Sequence, residues 1–168
     1  MVLYRSSAPH LAVLGGLPER RTYRNVKRFK KAVVTPEALV IRFDDQLYFA
    51  NTAYFKETIR DLVRQKGEEL EVVIVEAKSI HDIDSSGMHT LEEVYDYLKR
   101  KDIEFYLTGV IGPVRDALFR SGLMKKIGNN KQFLSVYAAM QYHQTKNDTS
   151  VETEGWSEAA LQTNFEEE

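Results

Sequence analysis

The chain has 168 residues, 43% of them hydrophobic and 29% charged, with eight Phe and nine Tyr, which is enough apolar matter for one domain with a real core and excludes wholesale disorder. It has no cysteine, so disulfides, thiolate metal sites and cysteine nucleophiles are excluded, and a reducing compartment is the simpler reading. The net charge of −2 conceals an uneven distribution. From Thr145 onward Asp148, Glu152, Glu154, Glu158, Glu166, Glu167 and Glu168 face the single base Lys146, whereas Arg20, Arg21, Arg24, Lys27, Arg28, Lys30 and Lys31 form a stretch without an acid.

In chain order, His10 to Leu14 predicts a short strand ending at Gly15-Gly16. Leu39 to Phe43 and Gln46 to Ala50 predict two strands joined by a turn at Asp44-Asp45, hence an antiparallel pair. Asn51 then caps a helix with the stripe Phe55, Ile59, Leu62 and Val63, and Gly67 ends it in the left-handed position. Glu71 to Ala77 contains four consecutive β-branched residues, the composition of a central strand covered on both faces. After Asp82 to Gly87 a second helix carries Met88, Leu91, Val94, Tyr95 and Leu98 on one face, and Glu104 to Thr108 is the next strand. Gly112-Pro113 opens a third helix with Val114, Ala117 and Leu118 inward, closed by Gly122-Leu123. A last helix spans about Gln132 to His143, with Phe133, Val136, Tyr137 and Met140 on one face. The alternation predicts an α/β fold with a mixed, four- or five-stranded sheet flanked by about four helices. Residues 145–168, rich in Thr, Ser, Asn and Glu, read as a disordered acidic tail.

One local cluster carries a sharp hypothesis. His81-Asp82-Ile83-Asp84-Ser85-Ser86-Gly87 joins the C-terminal end of a strand to the start of a helix, where free backbone N–H groups favour negative charge. A serine there is a candidate phosphorylation site, drawn by the helix terminus and repelled by Asp82 and Asp84. The plainer alternative makes Asp84 or Ser85 an N-cap and Gly87 a turn residue. Enzyme signatures are missing. His10, His81, His89 and His143 lack metal-ligand spacing, Ile-Asp-Ser-Ser-Gly is not a nucleophile elbow, and no phosphate-binding glycine motif is present. The reading is therefore non-enzymatic, with no metal and no cofactor. The basic stretch suits an anionic lipid or an acidic protein, and nucleic acid is the weakest option, since no helix-turn-helix, zinc spacing or base-stacking strand pattern accompanies it.

At Asp84-Ser85-Ser86-Gly87 the chain resembles a STAS domain, the family of the anti-sigma factor antagonists and of the C-terminal cytoplasmic domains of SulP-type anion transporters. Pro9 to Gly15 with Tyr23 to Val26, Leu39 to Asp44, Leu47 to Asn51 with Tyr54-Phe55, Gly112 to Arg115 and Ser121 to Leu123 resemble the transporter branch. The resemblance covers about residues 9–143. It implies a linker from a membrane part over residues 1–8, the STAS domain over 9–144 and the acidic tail beyond. It further implies a regulatory cytoplasmic domain of a transporter for sulfate or a similar anion, on the cytoplasmic side of the plasma membrane, with the membrane domain of the same transporter as partner and a cytosolic regulatory protein as a second. The surface of Asp82, Asp84, Ser85, Ser86 and Gly87 is the implied regulatory contact, and Arg20 to Lys31 the membrane-facing stretch. The alternative is a free-standing anti-sigma factor antagonist switched by phosphorylation of Ser85. No apolar run approaches the roughly 20 residues of a membrane helix, so under the transporter reading the sequence is a fragment.

Overall fold

The strongest constraint on the architecture is the run Val72 to Val75, in which all four side chains are inaccessible to solvent. A strand of β-branched residues with a layer on each face and a neighbour on each edge satisfies that pattern. The computed structural model, which describes residues 10–17, 19 and 21–146, places the run at the centre of a six-stranded mixed sheet. The strands are β1 (Leu11–Leu17), β2 (Thr22–Asn25), β3 (Ala38–Phe43), β4 (Val72–Glu76), β5 (Glu104–Thr108) and β6 (Gln132–Phe133), in the order β2-β1-β3-β4-β5-β6. β1 is antiparallel to β2 and β3; β3 through β6 are parallel.

Five α-helices among the described residues complete the fold: α1 (Thr52–Lys66), α2 (Ser85–Arg100), α3 (Gly112–Arg120), α4 (Leu123–Ile127) and α5 (Val136–Thr145). The strands from β3 to β6 advance in one direction, so right-handed crossovers put α1, α2, α3 and α4 on the same face. There Leu39, Ile41, Phe43, Val73, Val75, Phe105 and Leu107 meet Phe55, Ile59, Leu91, Val94, Leu98, Val114, Leu118 and Met124. The opposite face presents Ala12, Leu14, Ala38, Val40, Val72, Ile74 and Tyr106 to α5 through Val136, Ala139 and Met140. Each large apolar side chain so buried contributes about 1.5–3 kcal/mol.

The mixed α/β architecture follows the sequence expectation, and several elements differ in detail. Gln46 to Ala50 forms no hairpin with β3. Both edges of β3 are taken, by β1 and β4, so no backbone is left for a third partner. Leu47 makes only an isolated parallel bridge to Ile83. β1 does not stop at Gly15-Gly16 but runs through to Leu17. β2 arises inside the basic stretch, where Tyr23 alone signals a strand. Gly67 has a positive φ of 77°, yet its ψ of −155° lies outside the left-handed helical region. After Gly122, which is left-handed, the chain re-enters a helix at Leu123 instead of ending there.

The expected final helix is divided. Gln132-Phe133 pairs with Leu107-Thr108 as β6, and α5 starts only after Ser135, whose hydroxyl accepts from the Ala138 amide at 3.1 Å. Thr145 closes α5, and Lys146 hydrogen-bonds Glu104. The expected linker, residues 1–8, lies outside the described residues, as do Pro9 and residues 147–168 of the acidic tail. Among the described residues no helix is long and apolar enough to cross a membrane.

Candidate functional site

The Asp82–Gly87 segment lies at the C-terminal end of β4, beside the loop that follows β3. Two backbone hydrogen bonds stitch the loops together through Leu47: its amide donates to the Asp82 carbonyl at 3.0 Å, and its carbonyl accepts from the Asp84 amide at 3.2 Å. Leu47 is fully buried in the core cluster, so the stitch is anchored from below.

Asp84 is extended and caps α2, its Oδ1 accepting from the Gly87 amide at 2.7 Å. The capping alternative is therefore realised by Asp84. Its second oxygen makes a contact that no local pattern foretells: Oδ2 accepts from the Phe49 amide at 3.0 Å, 35 residues away. One carboxylate thus ties the start of α2 to the preceding loop. A hydrogen bond to a charged group contributes about 1.5–3 kcal/mol when well formed, less at an exposed position.

Ser85, Ser86 and Gly87 are not loop residues but the first turn of α2. Ser85 is exposed, Ser86 half-buried and Gly87 buried, while Asp82 is exposed and caps the Ile83 amide at 2.9 Å. The first N–H groups of a helix have no intrahelical acceptor, which leaves the Ser85 end of α2 open to an anion. Gly87 is required by packing rather than by a turn. A Cβ at that position would lie 2.2 Å from the Leu47 carbonyl oxygen and 3.0 Å from Ile83 Cγ1.

The facing loop is also held from within. Asn51 is fully buried and does not cap α1 with its side chain. Its Oδ1 instead accepts from the Tyr48 amide at 3.1 Å, and its Nδ2 donates to the Gln46 carbonyl at 2.7 Å. These bonds present Phe49 to solvent with 73% of its surface exposed, its ring edge-on to Tyr48 with the centroids 5.5 Å apart. Phe49 and Ser85 therefore flank the Asp84 carboxylate on an open surface.

The histidines are placed elsewhere in the hydrogen-bond network. His81 Nδ1 lies 3.4 Å from the Ser79 carbonyl, and His89 pairs loosely with Glu93 at 3.7 Å. His10 contacts Asp44, which also takes two hydrogen bonds from the Arg42 guanidinium. Burial opposes ionisation of Asp44, but Arg42 and His10 together hold its carboxyl below the usual range. His143, on α5, is buried between Glu71 and Glu104 at the far end of the sheet. Among the described residues no three potential metal ligands gather.

Of the basic stretch, Arg21 stacks over Tyr137 of α5 and Arg24 over Phe29, whereas Lys27, Arg28, Lys30 and Lys31 are exposed. Arg20 lies outside the described residues. The structure brings Asp82, Asp84, Ser85, Ser86 and Gly87 together and keeps the basic stretch apart, on β2 and the loop after it. Sequence reasoning missed Leu47 and Phe49 as site residues, because it assigned Gln46 to Ala50 to a strand, and it took Asn51 for a helix cap and not for the brace of this loop.

A sequence model of the STAS domain matches residues 30–139. The high affinity sulfate transporter 2 of Stylosanthes hamata is 35% identical over 147 residues, covering 83% of this chain and 22% of that protein. The chain thus spans about a fifth of the length of the curated relatives it matches. The murine Slc26a9 anion transporter in its inward-facing state superposes with a TM-score of 0.79 at 16% identity, over 86% of this chain and 24% of that one. The SulP transporter STAS domain from Vibrio cholerae superposes with a TM-score of 0.57 at 20% identity, over 72% and 91%. The matched residues begin inside the basic loop, at Lys30, and take in β3 to β6, the Asp84 clamp and the start of α5, and the chain belongs to the STAS domain family.

Proposed function

We propose that this domain is a non-catalytic regulatory module of a SulP-type transporter for sulfate or a similar anion. It works on the cytoplasmic side of the plasma membrane through contacts with the transporter's membrane domain or with a cytosolic regulatory protein. The observation that carries the reading is the Asp84 clamp. It fixes an exposed aromatic, Phe49, and an exposed hydroxyl, Ser85, on either side of one carboxylate at the protein surface. Such a surface suits a protein contact, in which an aromatic anchor beside polar groups supplies much of the affinity.

Attachment of phosphate to Ser85 would place a dianion at the open start of α2, where the helix terminus attracts it, and beside Asp82 and Asp84, which repel it. The Asp84 carboxylate would be driven from the Phe49 amide, so the phosphorylated surface would present the aromatic differently. Labelling by a cognate kinase that survives Ser85→Ala would move the site elsewhere.

The gene tests the transporter attribution directly. About ten or more apolar spans encoded upstream of Met1 support it. A free-standing gene of this length would favour the antagonist alternative.

A further inference from the structure

We propose that the segment Arg24–Val34 is a docking surface for an anionic lipid bilayer, its bases pairing with headgroups while Phe29, Val33 and Val34 enter the interface. Four exposed bases, Lys27, Arg28, Lys30 and Lys31, surround Phe29, and the segment contains no acid. None of these four bases forms an ion pair among the described residues. Phe29 is 43% exposed, Val33 55% and Val34 48%, so half of the exposed large apolar side chains among the described residues lie in this one segment. Bases mixed with unsheltered aromatic and aliphatic groups are what an anionic interface accepts.

The loop is built, not loosely hung. The buried Asn25 accepts from the Lys27 amide through its side chain at 2.9 Å and from the Arg28 and Phe29 amides through its carbonyl at 3.0 Å. The Val26 amide donates to Val13 at 3.1 Å, and Val33 exchanges two hydrogen bonds with Gly16 at 2.8 and 2.9 Å. Between these anchors the chain passes over β1 at Gly15, where a Cβ would lie 3.0 Å from the backbone of Ala32 and Val33. A preformed surface loses less ordering entropy on binding than a free tail.

A nucleic acid is the competing partner for such a charge pattern. Val33 and Val34 offer it neither a hydrogen bond nor a ring, and the Phe29 ring is already faced by the Arg24 guanidinium at 5.6 Å. A bilayer has use for all three apolar groups. The inference rests on these residues and not on the regulatory reading of the Asp84 surface.

The test is co-sedimentation of the full 168-residue chain with vesicles of phosphatidylcholine alone or with about 30 mol % phosphatidylserine, at about 0.15 M salt. Partitioning is expected to be about tenfold or more stronger on the anionic vesicles. The variant carrying Lys27→Gln, Arg28→Gln, Lys30→Gln and Lys31→Gln should fall to the neutral-vesicle level, and Phe29→Ser should lose about threefold or more. If the fourfold variant does not fold, Lys30→Gln with Lys31→Gln is read instead and should lose about half of the advantage on a logarithmic scale. A control with Lys99→Gln, Arg100→Gln and Lys101→Gln, exposed bases at the end of α2, should bind as the parent does. Equal binding to both vesicles, an equal loss in the control, or tighter binding to duplex DNA than to anionic vesicles would overturn the proposal.

Discussion

Replacing Gly87 by alanine sets two physical rules against each other. Gly87 lies in the first turn of α2, and helix propensity alone predicts a gain of about 0.5–1 kcal/mol from the exchange. The structure predicts the opposite sign. The new Cβ would stand 2.2 Å from the Leu47 carbonyl oxygen and 2.9 Å from its carbon, both backbone atoms that no rotamer change can move aside. Overpacking of this kind costs about 1–3 kcal/mol. Relief by moving α2 outward would stretch the Leu47 bonds to Asp82 and Asp84, each contributing about 1 kcal/mol. The net expectation is a loss of about 2–3 kcal/mol, or a Tm about 5–10 °C lower at this chain length. Urea and thermal unfolding followed by circular dichroism measure it. A Gly87→Ala midpoint equal to or above that of the parent would refute the packing argument.

Asp84→Ala should cost about 1–2 kcal/mol and speed hydrogen exchange at the Phe49 and Gly87 amides together; Asp84→Asn, with a single acceptor oxygen, should retain protection at only one of them. Asn51→Ala leaves the Tyr48 amide and the Gln46 carbonyl without their partner and should lower the unfolding free energy by about 2–3 kcal/mol, read from the urea midpoint. Acid sensitivity should come in part from Glu104. Burial opposes its ionisation, but Lys146, Tyr106 and Lys131 lower its carboxyl pKa from 4.5 to about 2. Because the folded value lies below the unfolded one, its stabilisation is fully present above pH 4.5 and is lost as pH falls toward about 2. Urea midpoints for the parent should decline across that window, and Glu104→Gln should flatten the decline; identical slopes would count against it.

The parts of the fold legible in the sequence are those set by local pattern. Val72 to Val75 could only be a central strand, and the stripes of α1 and α2 follow the helical period through Phe55, Ile59, Leu91, Val94 and Leu98. What the sequence did not reveal was decided by competition between distant segments. Gln46 to Ala50 has strand-like alternation, but β1 claims the edge of β3 that a hairpin would need. Gln132-Phe133 continues a helical stripe, yet the open edge of β5 draws it into a strand. The candidate site divides in the same way. Asp84 as an N-cap is a four-residue pattern, whereas its bond to Phe49 spans 35 residues. Gly87 reads as a turn residue until the Leu47 carbonyl is known to occupy the space of its side chain.

The proposed regulatory role of the surface flanking Asp84 is open to a direct test: sulfate uptake by a full-length transporter that contains this domain and carries Phe49→Ser. Phe49 is largely exposed, so the substitution should leave the domain's stability within about 0.5 kcal/mol of the parent. Uptake per transporter at the cell surface should change by about threefold or more, since loss of one aromatic anchor commonly weakens a contact by over 1 kcal/mol. Unchanged uptake at equal surface abundance would contradict it.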